Sequence, residues 1–221
     1  VVDGPVEENV IMTGELIIQE FPFTEGFDSG MLPDGWRNLK ITGDYNWEFA
    51  TSPFSHAYIH NISRPAVLAR LITPYLDASS LGRVTMGINH RFQTEPAGGM
   101  ISVLISEDGL NWQTIEEFTG TIGNGNDFEY MEFNLDDVAA GKQVMIALEA
   151  DFPDSDANYE ALWEVESLTV FEPLYDVSFD VLDELGNPVT DAVVTLDGVE
   201  NPQGEYLFEG IPAGTYPYVV E

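Results

Sequence analysis

The stretch FDSGMLPDGWRNLKITGDYNW, residues 27–47, decides the fold that we expect for this chain. It contains two large aromatic residues, Trp36 and Trp47, and a Pro-Asp-Gly turn precedes the first while a Gly-Asp turn precedes the second. Proline presets φ and glycine permits a positive φ, so each tryptophan follows a fixed bend. Large aromatic residues in this setting are typical of a β-sandwich core. The alternative is that one of them lines a ligand surface.

Strand patterns extend outward from this stretch. Residues 82–92, GRVTMGINHRF, alternate apolar and polar residues with a period of two, which indicates a half-buried strand. Residues 100–106 and 143–150 are short apolar runs bounded by turn residues, and they also predict strands. The sole helical turn that we predict covers residues 136–142 and ends at a glycine. The chain is therefore predicted to be all-β.

The composition is strongly acidic. The chain has 221 residues, with 39 Asp and Glu against 7 Lys and Arg, and its formal net charge is −32. Such a surface repels phosphate groups, which excludes nucleic acid and anionic membranes as partners. Three explanations of the acidity stay open: a surface screened by salt, binding of divalent cations, and a basic partner.

The sequence offers little for catalysis. It contains no cysteine, which excludes disulfides, thiolate metal sites and a cysteine nucleophile. Metalloprotease, nucleophile-elbow and phosphate-loop motifs are missing. His56 and His60 are four residues apart, but on a strand this spacing spans about 13 Å, too far for one zinc ion at about 2 Å from both. We therefore expect a protein that is not an enzyme.

Four stretches, in this order, resemble the cleaved-adhesin and choice-of-anchor-J domains, jelly-roll modules that are related in fold to MAM domains. They are the opening stretch quoted above, LITPYLD at 71–77, VLISEDGLNW at 103–112 and WEVESLTV at 163–170. The resemblance implies a jelly-roll β-sandwich over residues 21–172, after an N-terminal extension or linker of residues 1–20. The last stretch departs from the family pattern, because Glu166 and Ser167 replace two aspartates.

Residues 173–221 resemble a prealbumin-like domain of the carboxypeptidase-regulatory-like or Cna B type. The resemblance rests on GNPV at 186–189, AVVTL at 192–196, GEYLF at 204–208 and IPAGTY at 211–216. Domains of this kind usually continue for another strand or two. We therefore expect a small, incomplete β-sandwich: either the chain is truncated, or the missing strand comes from elsewhere. A sheet cut in this way exposes a C-terminal edge that is able to pair with another chain.

One candidate calcium site lies in the sequence DSDAN, residues 154–158. Asp154, Asp156 and Asn158 have the alternating oxygen ligands of the first half of a Ca²⁺ loop. Tyr159 and Val165 stand where an EF-hand requires Gly and Glu, so the segment is not an EF-hand. An acidic surface turn is the competing interpretation.

The jelly-roll resemblance implies a second calcium site. Related domains hold a structural Ca²⁺ between the opening acidic residue and the closing strand. These positions match Asp28 and Glu166 here, and Asp44 is a further candidate ligand. Ca²⁺ is the one cofactor that we predict.

Carbohydrate binding requires aromatic side chains that stack on sugar faces. The candidates are Trp47, Tyr58, Trp112 and Tyr159, and for each of them core packing is the competing interpretation. The resemblance implies a bacterial, secreted or cell-surface protein that mediates adhesion, with a glycan or an extracellular protein as partner. The alternatives are an accessory module of a secreted peptidase or glycoside hydrolase, and a purely structural spacer.

Overall fold

The computed structural model describes residues 15–62, 66–95, 98–123, 127–154 and 160–221. Over these residues the chain is almost entirely β, with one helical turn, α1 (Asp136–Ala139). No helix of this part is long and apolar enough to cross a bilayer. In chain order the strands are β1 (Ile17–Ile18), β2 (Phe23–Glu25), β3 (Arg37–Thr42), β4 (Glu48–Ala50), β5 (His56–Asn61), β6 (Val67–Ile72), β7 (Tyr75–Asp77), β8 (Thr85–Glu95), β9 (Met100–Ser106), β10 (Gln113–Phe118), β11 (Glu129–Asn134), β12 (Gln143–Phe152), β13 (Glu160–Phe171), β14 (Leu174–Ser178), β15 (Val194–Leu196), β16 (Val199–Glu200), β17 (Leu207–Pro212) and β18 (Tyr218–Val220).

Two large sheets form a β-sandwich. In the seven-stranded sheet, β12 pairs with β9 on one edge and with β6 and β7 on the other, while β10, β3 and β1 extend the sheet. In the six-stranded sheet, β13 pairs with β8 on one edge and with β5 and β2 on the other, while β11 and β4 complete it. The inward faces of both sheets share one hydrophobic core. This confirms the predicted all-β fold class.

The two tryptophans of residues 27–47 both lie in this core. Trp36 and Trp47 are buried, and the Trp47 ring packs edge-on against Trp163 with a centroid distance of 5.0 Å. The turns that precede them have the geometry their sequence predicts, since Gly35 has φ +76° and Gly43 has φ +84°. A positive φ is strained for residues that have a Cβ atom, so both positions favour glycine. The aromatic residues of this stretch therefore anchor the sandwich.

The six-stranded sheet contains a histidine, His90 on β8, whose side chain is buried in the core. His90 is fully buried, and its Nδ1 accepts a hydrogen bond from Trp163 Nε1 at 3.1 Å. The ring proton is therefore on Nε2, which faces Met131 Sδ at 3.4 Å. Burial disfavours the charged form and lowers the pKa of His90 from 6.5 to about 4. His90 is consequently neutral at physiological pH and belongs to the core.

Residues 174–221 form two small sheets, one of β14 and β17 and one of β16, β15 and β18. Their buried side chains make a cluster of their own, composed of Val194, Leu196 and Phe208. Within the described residues β18 pairs with β15 alone, and its three side chains are exposed. Pairing of this edge with another chain stays a prediction.

Candidate functional site

Four side chains form a row across the outer face of the six-stranded sheet. Glu48 on β4 lies opposite Tyr58 on β5, Tyr58 lies opposite Glu164 on β13, and Glu164 lies opposite Arg91 on β8. Directly opposed residues in a sheet point to the same face. Trp163, the residue before Glu164, is buried in the core. The alternation of strand residues therefore directs this row outward.

Three residues of the row, Tyr58, Glu164 and Arg91, line a pocket of about 570 Å³, which we call the groove. The loop between β4 and β5 forms one wall, and it contributes Phe54 and the exposed residues Ser52 and Pro53. The residues that line the groove are Ala50, Ser52, Pro53, Phe54, His56, Tyr58, Arg91 and Glu164. Aromatic rings and hydrogen-bonding groups thus converge in one concave surface.

A nearly buried ion pair forms the floor of the groove. Arg91 Nη2 donates to Glu164 Oε1 at 2.8 Å, and Arg91 Nε donates to Glu164 Oε2. His56 Nε2 lies 3.5 Å from the same carboxylate. The Arg91 guanidinium also packs over two rings, 5.0 Å from Phe128 and 5.8 Å from Phe54. Bidentate pairing and ring contacts together fix the position of Arg91.

Tyr58 supplies the aromatic ring and hydroxyl at the centre of the groove. Its ring is half-buried, and its hydroxyl donates to Glu48 Oε2 at 2.6 Å. This hydrogen bond, burial and the Glu48 charge, in that order, raise the pKa of Tyr58 above its ordinary value of 10.0. The hydroxyl therefore stays protonated at neutral pH. Glu48 itself is exposed and lies on β4, the strand next to Tyr58.

Trp112 lies on the opposite side of the molecule, on the outer face of the seven-stranded sheet. The loop before it is held by Asp108, which accepts backbone hydrogen bonds from Leu110 at 2.8 Å and Asn111 at 2.7 Å. These bonds hold the pKa of the Asp108 carboxyl well below its usual range. Trp112 Nε1 donates to Gly109 O at 3.2 Å, so the indole is fixed over the sheet.

The Trp112 ring covers apolar side chains of the sheet. Together with Tyr75 it packs against a small cluster of Ile72, Leu104, Met145 and Ala147. Its ring also lies 5.3 Å from the guanidinium of Arg70. Trp112 and Tyr58 therefore lie on opposite outer faces, and the structure does not unite them in one ligand surface.

Of the two remaining aromatic candidates, the structure describes Trp47. It was a ligand candidate with core packing as the competing interpretation, and it lies in the core with 3% exposure. Tyr159 lies outside the described residues. Of the four aromatic candidates, Tyr58 is the one that lines the groove.

The calcium candidates of the resemblance do not form a ligand cluster. Asp28 and Asp44 are exposed, whereas Glu166 is half-buried and accepts a hydrogen bond from Asn89 Nδ2. In the described ranges, no three or more His, Asp or Glu side chains are arranged to hold a metal ion. In the second candidate segment Asp154 is exposed, and two of its predicted ligands lie outside the described residues: Asp156 and Asn158. Calcium binding stays a prediction.

Sequence reasoning missed most of the groove. It selected Tyr58 but not Phe54, Arg91 or Glu164. The alternation along residues 82–92 places Arg91 on the outer face of its strand. No local pattern, however, indicates that β13 lies between β8 and β5.

No protein-family model matches this chain, and no curated protein matches it either. Among solved structures, it is similar to TmCBM61 in complex with β-1,4-galactotriose, with 14% identity, 66% of this chain and 93% of that chain covered, and a TM-score of 0.45. The K1 cleaved adhesin domain of Lys-gingipain from Porphyromonas gingivalis W83 has 18% identity, 68% and 98% coverage, and a TM-score of 0.49. The glycoside hydrolase domain of Endo-D from Streptococcus pneumoniae R6 has 14% identity, 91% and 38% coverage, and a TM-score of 0.46. Similarities of this extent define neither the family nor the ligand of the chain.

Proposed function

We propose that this chain is a non-catalytic glycan-binding module and that the groove is its binding site. The observation that carries this proposal is that Tyr58, Glu164 and Arg91 line a pocket of about 570 Å³ together with the Phe54 wall, while Glu48 on the neighbouring strand accepts the Tyr58 hydroxyl. Ligand sites combine apolar and aromatic walls with a few placed polar groups, and their volumes are usually about 300–1,000 Å³. A sugar ring has an apolar face bordered by hydroxyls, which fits this combination.

The individual groups have complementary roles. The half-buried Tyr58 ring supplies a face for stacking, and Phe54 supplies a wall beside it. The exposed Glu48 carboxylate accepts hydrogen bonds from sugar hydroxyls, and it keeps the Tyr58 hydroxyl in a fixed position. Charge-assisted hydrogen bonds of this kind are stronger than those between neutral groups.

The same contacts oppose a catalytic role. Glycoside hydrolysis uses two carboxyl groups, one of them as a proton donor. Glu164 accepts two hydrogen bonds from Arg91, and Glu48 accepts one from the Tyr58 hydroxyl, so both carboxylates are held by groups of the protein. Neither group is placed as a general acid, so we propose binding without turnover.

The wider context rests on the sequence resemblances. We propose that residues 21–172 are the binding module and residues 173–221 a second β module of a secreted or cell-surface protein that mediates adhesion. An accessory role beside a catalytic domain would use the same groove. The sequence of the full-length protein distinguishes these two settings.

Glycan-array screening with neutral and acidic oligosaccharides, followed by calorimetry, tests the proposed site. We expect Tyr58→Ala to weaken binding about tenfold or more, because truncation of a central aromatic contact typically costs more than about 1 kcal/mol. Tyr58→Phe keeps the ring and should retain most of the affinity. Tyr175→Ala is the matched control, since Tyr175 is an exposed tyrosine on β14 outside the groove. Absence of glycan binding, or equal binding by Tyr58→Ala and wild type, would refute the proposal.

A further inference from the structure

We infer that the groove selects uncharged sugars and rejects acidic ones, and that Glu164 sets this selectivity. The inference rests on the proposed function and specifies its ligand class. It depends on the charges of the outer face of the six-stranded sheet and on the environment of Arg91.

Arginine is the usual receptor for a carboxylate. Its planar guanidinium donates two parallel hydrogen bonds that match the two oxygens of a carboxylate. In the groove this position is already taken, because Glu164 accepts from both Nε and Nη2 of Arg91. Glu164 thus occupies the place that the carboxylate of an acidic sugar would take.

The ion pair is also shielded from competing ligands. The side chains of Arg91 and Glu164 are 12% and 7% exposed. Phe128 and Phe54 pack against the guanidinium, and His56 lies beside the carboxylate. An acidic sugar would have to displace a nearly buried carboxylate, and separating such a pair leaves a buried charge without a partner.

The surroundings of the pair are acidic. Glu48 accepts the hydroxyl of Tyr58, a residue of the groove lining, and β13 also contributes the half-buried Glu166 to the same sheet. Among the described residues that line the groove, Arg91 is the one arginine or lysine, and its charge is already compensated by Glu164. Like charges brought together in a partly desolvated site oppose binding, which gives specificity by repulsion. Uncharged hydroxyls meet no such repulsion.

The test compares polysaccharides that share a backbone and differ in the C6 carboxylate. The probes are β-1,4-mannan with β-1,4-mannuronan, and β-1,4-glucan with β-1,4-glucuronan, in affinity electrophoresis at low and moderate salt. For wild type we expect retention by at least one neutral polymer and about tenfold or more weaker retention by its uronate counterpart. Glu164→Gln keeps the side-chain shape but removes its charge, so the neutral-to-acidic ratio should fall about tenfold.

Glu160→Gln is the matched control, because it removes the same charge from the same strand at an exposed site outside the groove lining. This variant should leave the ratio within about twofold of wild type, since exposed charges are screened. If circular dichroism shows that Glu164→Gln does not fold, the inference is tested by the neutral-to-acidic retention ratio of the wild type alone. A wild-type preference for a uronate polymer that depends on Tyr58 would overturn this inference and leave the proposed function intact. Absence of retention by all four polymers would also overturn this inference, because neither neutral polymer is then selected, whereas the glycan array decides the proposed function.

Discussion

The two outer faces of the sandwich contain the same cross-strand pair and differ in what covers it. On the seven-stranded sheet, Arg70 Nε donates to Glu149 Oε2 at 2.6 Å between β6 and β12. On the six-stranded sheet, Arg91 pairs with Glu164 between β8 and β13. In each case an arginine on one strand meets a glutamate on its neighbour, and aromatic rings contact the guanidinium.

The aromatic residues give the two faces different roles. Trp112 and Tyr75 lie over the seven-stranded sheet and seal a small apolar cluster. Phe54 lies on the loop between β4 and β5 with its ring 5.8 Å from the Arg91 guanidinium, and it lines the groove together with Tyr58. The rings near Arg70 therefore cover apolar side chains of the sheet, whereas the rings near Arg91 include one that lines a groove.

The largest expected difference between the faces concerns the ion pairs themselves. We expect Glu164→Ala to reduce the free energy of unfolding by about 3–5 kcal/mol, because it removes the carboxylate that pairs with the nearly buried Arg91 guanidinium. Glu149→Ala should cost about 1 kcal/mol, since Arg70 is more exposed, at 21% against 12%, and water can solvate its charge. Urea unfolding of both variants measures this, and equal losses would contradict the difference in burial.

The next prediction concerns His90, which lies on the core side of β8 next to Arg91. Its folded-state pKa, about 4, is below the ordinary 6.5, so between these values the unfolded chain binds the proton and the folded chain does not. The contribution of His90 is therefore complete above pH 6.5 and is lost as the pH falls toward 4. It amounts to about 3 kcal/mol.

Denaturant unfolding between pH 4 and pH 7 checks this, with His90→Gln as the reference. Glutamine does not titrate, and its side-chain oxygen can still accept the hydrogen bond from Trp163. The difference in stability between the two proteins should change by about 3 kcal/mol across this range. Parallel pH profiles would show that burial of His90 does not control the acid sensitivity.

Calcium provides a test of whether the two ends of the sandwich are linked by an ion. The site implied by Asp28 and Glu166 predicts that Ca²⁺, added after EDTA, raises the unfolding free energy by about 2.7 kcal/mol at one hundred times its Kd. Asp28→Asn or Glu166→Gln should abolish the rise. Mg²⁺ at equal ionic strength is the control, because a chain with a net charge of −32 responds to any divalent cation. An equal response to both ions would refute the calcium site.

The smallest expected losses of stability concern Trp112 and Tyr58, and they distinguish a structural role from a binding role. Trp112→Ala exposes the cluster beneath it and should cost about 2 kcal/mol of stability while glycan affinity is unchanged. Tyr58→Ala should cost less than about 1 kcal/mol while affinity falls. Thermal unfolding and calorimetry on the same samples distinguish the two roles. Loss of glycan affinity in Trp112→Ala would place a binding surface on the seven-stranded sheet.

The sequence by itself determined the fold class and much of the core. The turns before Trp36 and Trp47 require local backbone conformations that glycine permits, and they appear at Gly35 and Gly43. Alternation along residues 82–92 likewise predicts β8, and the apolar run at 100–106 predicts β9. Such features depend on neighbouring residues along the chain, so they can be read from a short stretch of sequence.

Only the tertiary structure decided the groove. Arg91 and Glu164 are 73 residues apart, and Tyr58 comes from a third strand. Their meeting depends on which strands are neighbours and in which register, and both are set by the packing of the whole core rather than by any local pattern. The same holds for Trp47 and Trp112, because a ring that looks available for a ligand in the sequence becomes core or cover once distant strands pack against it.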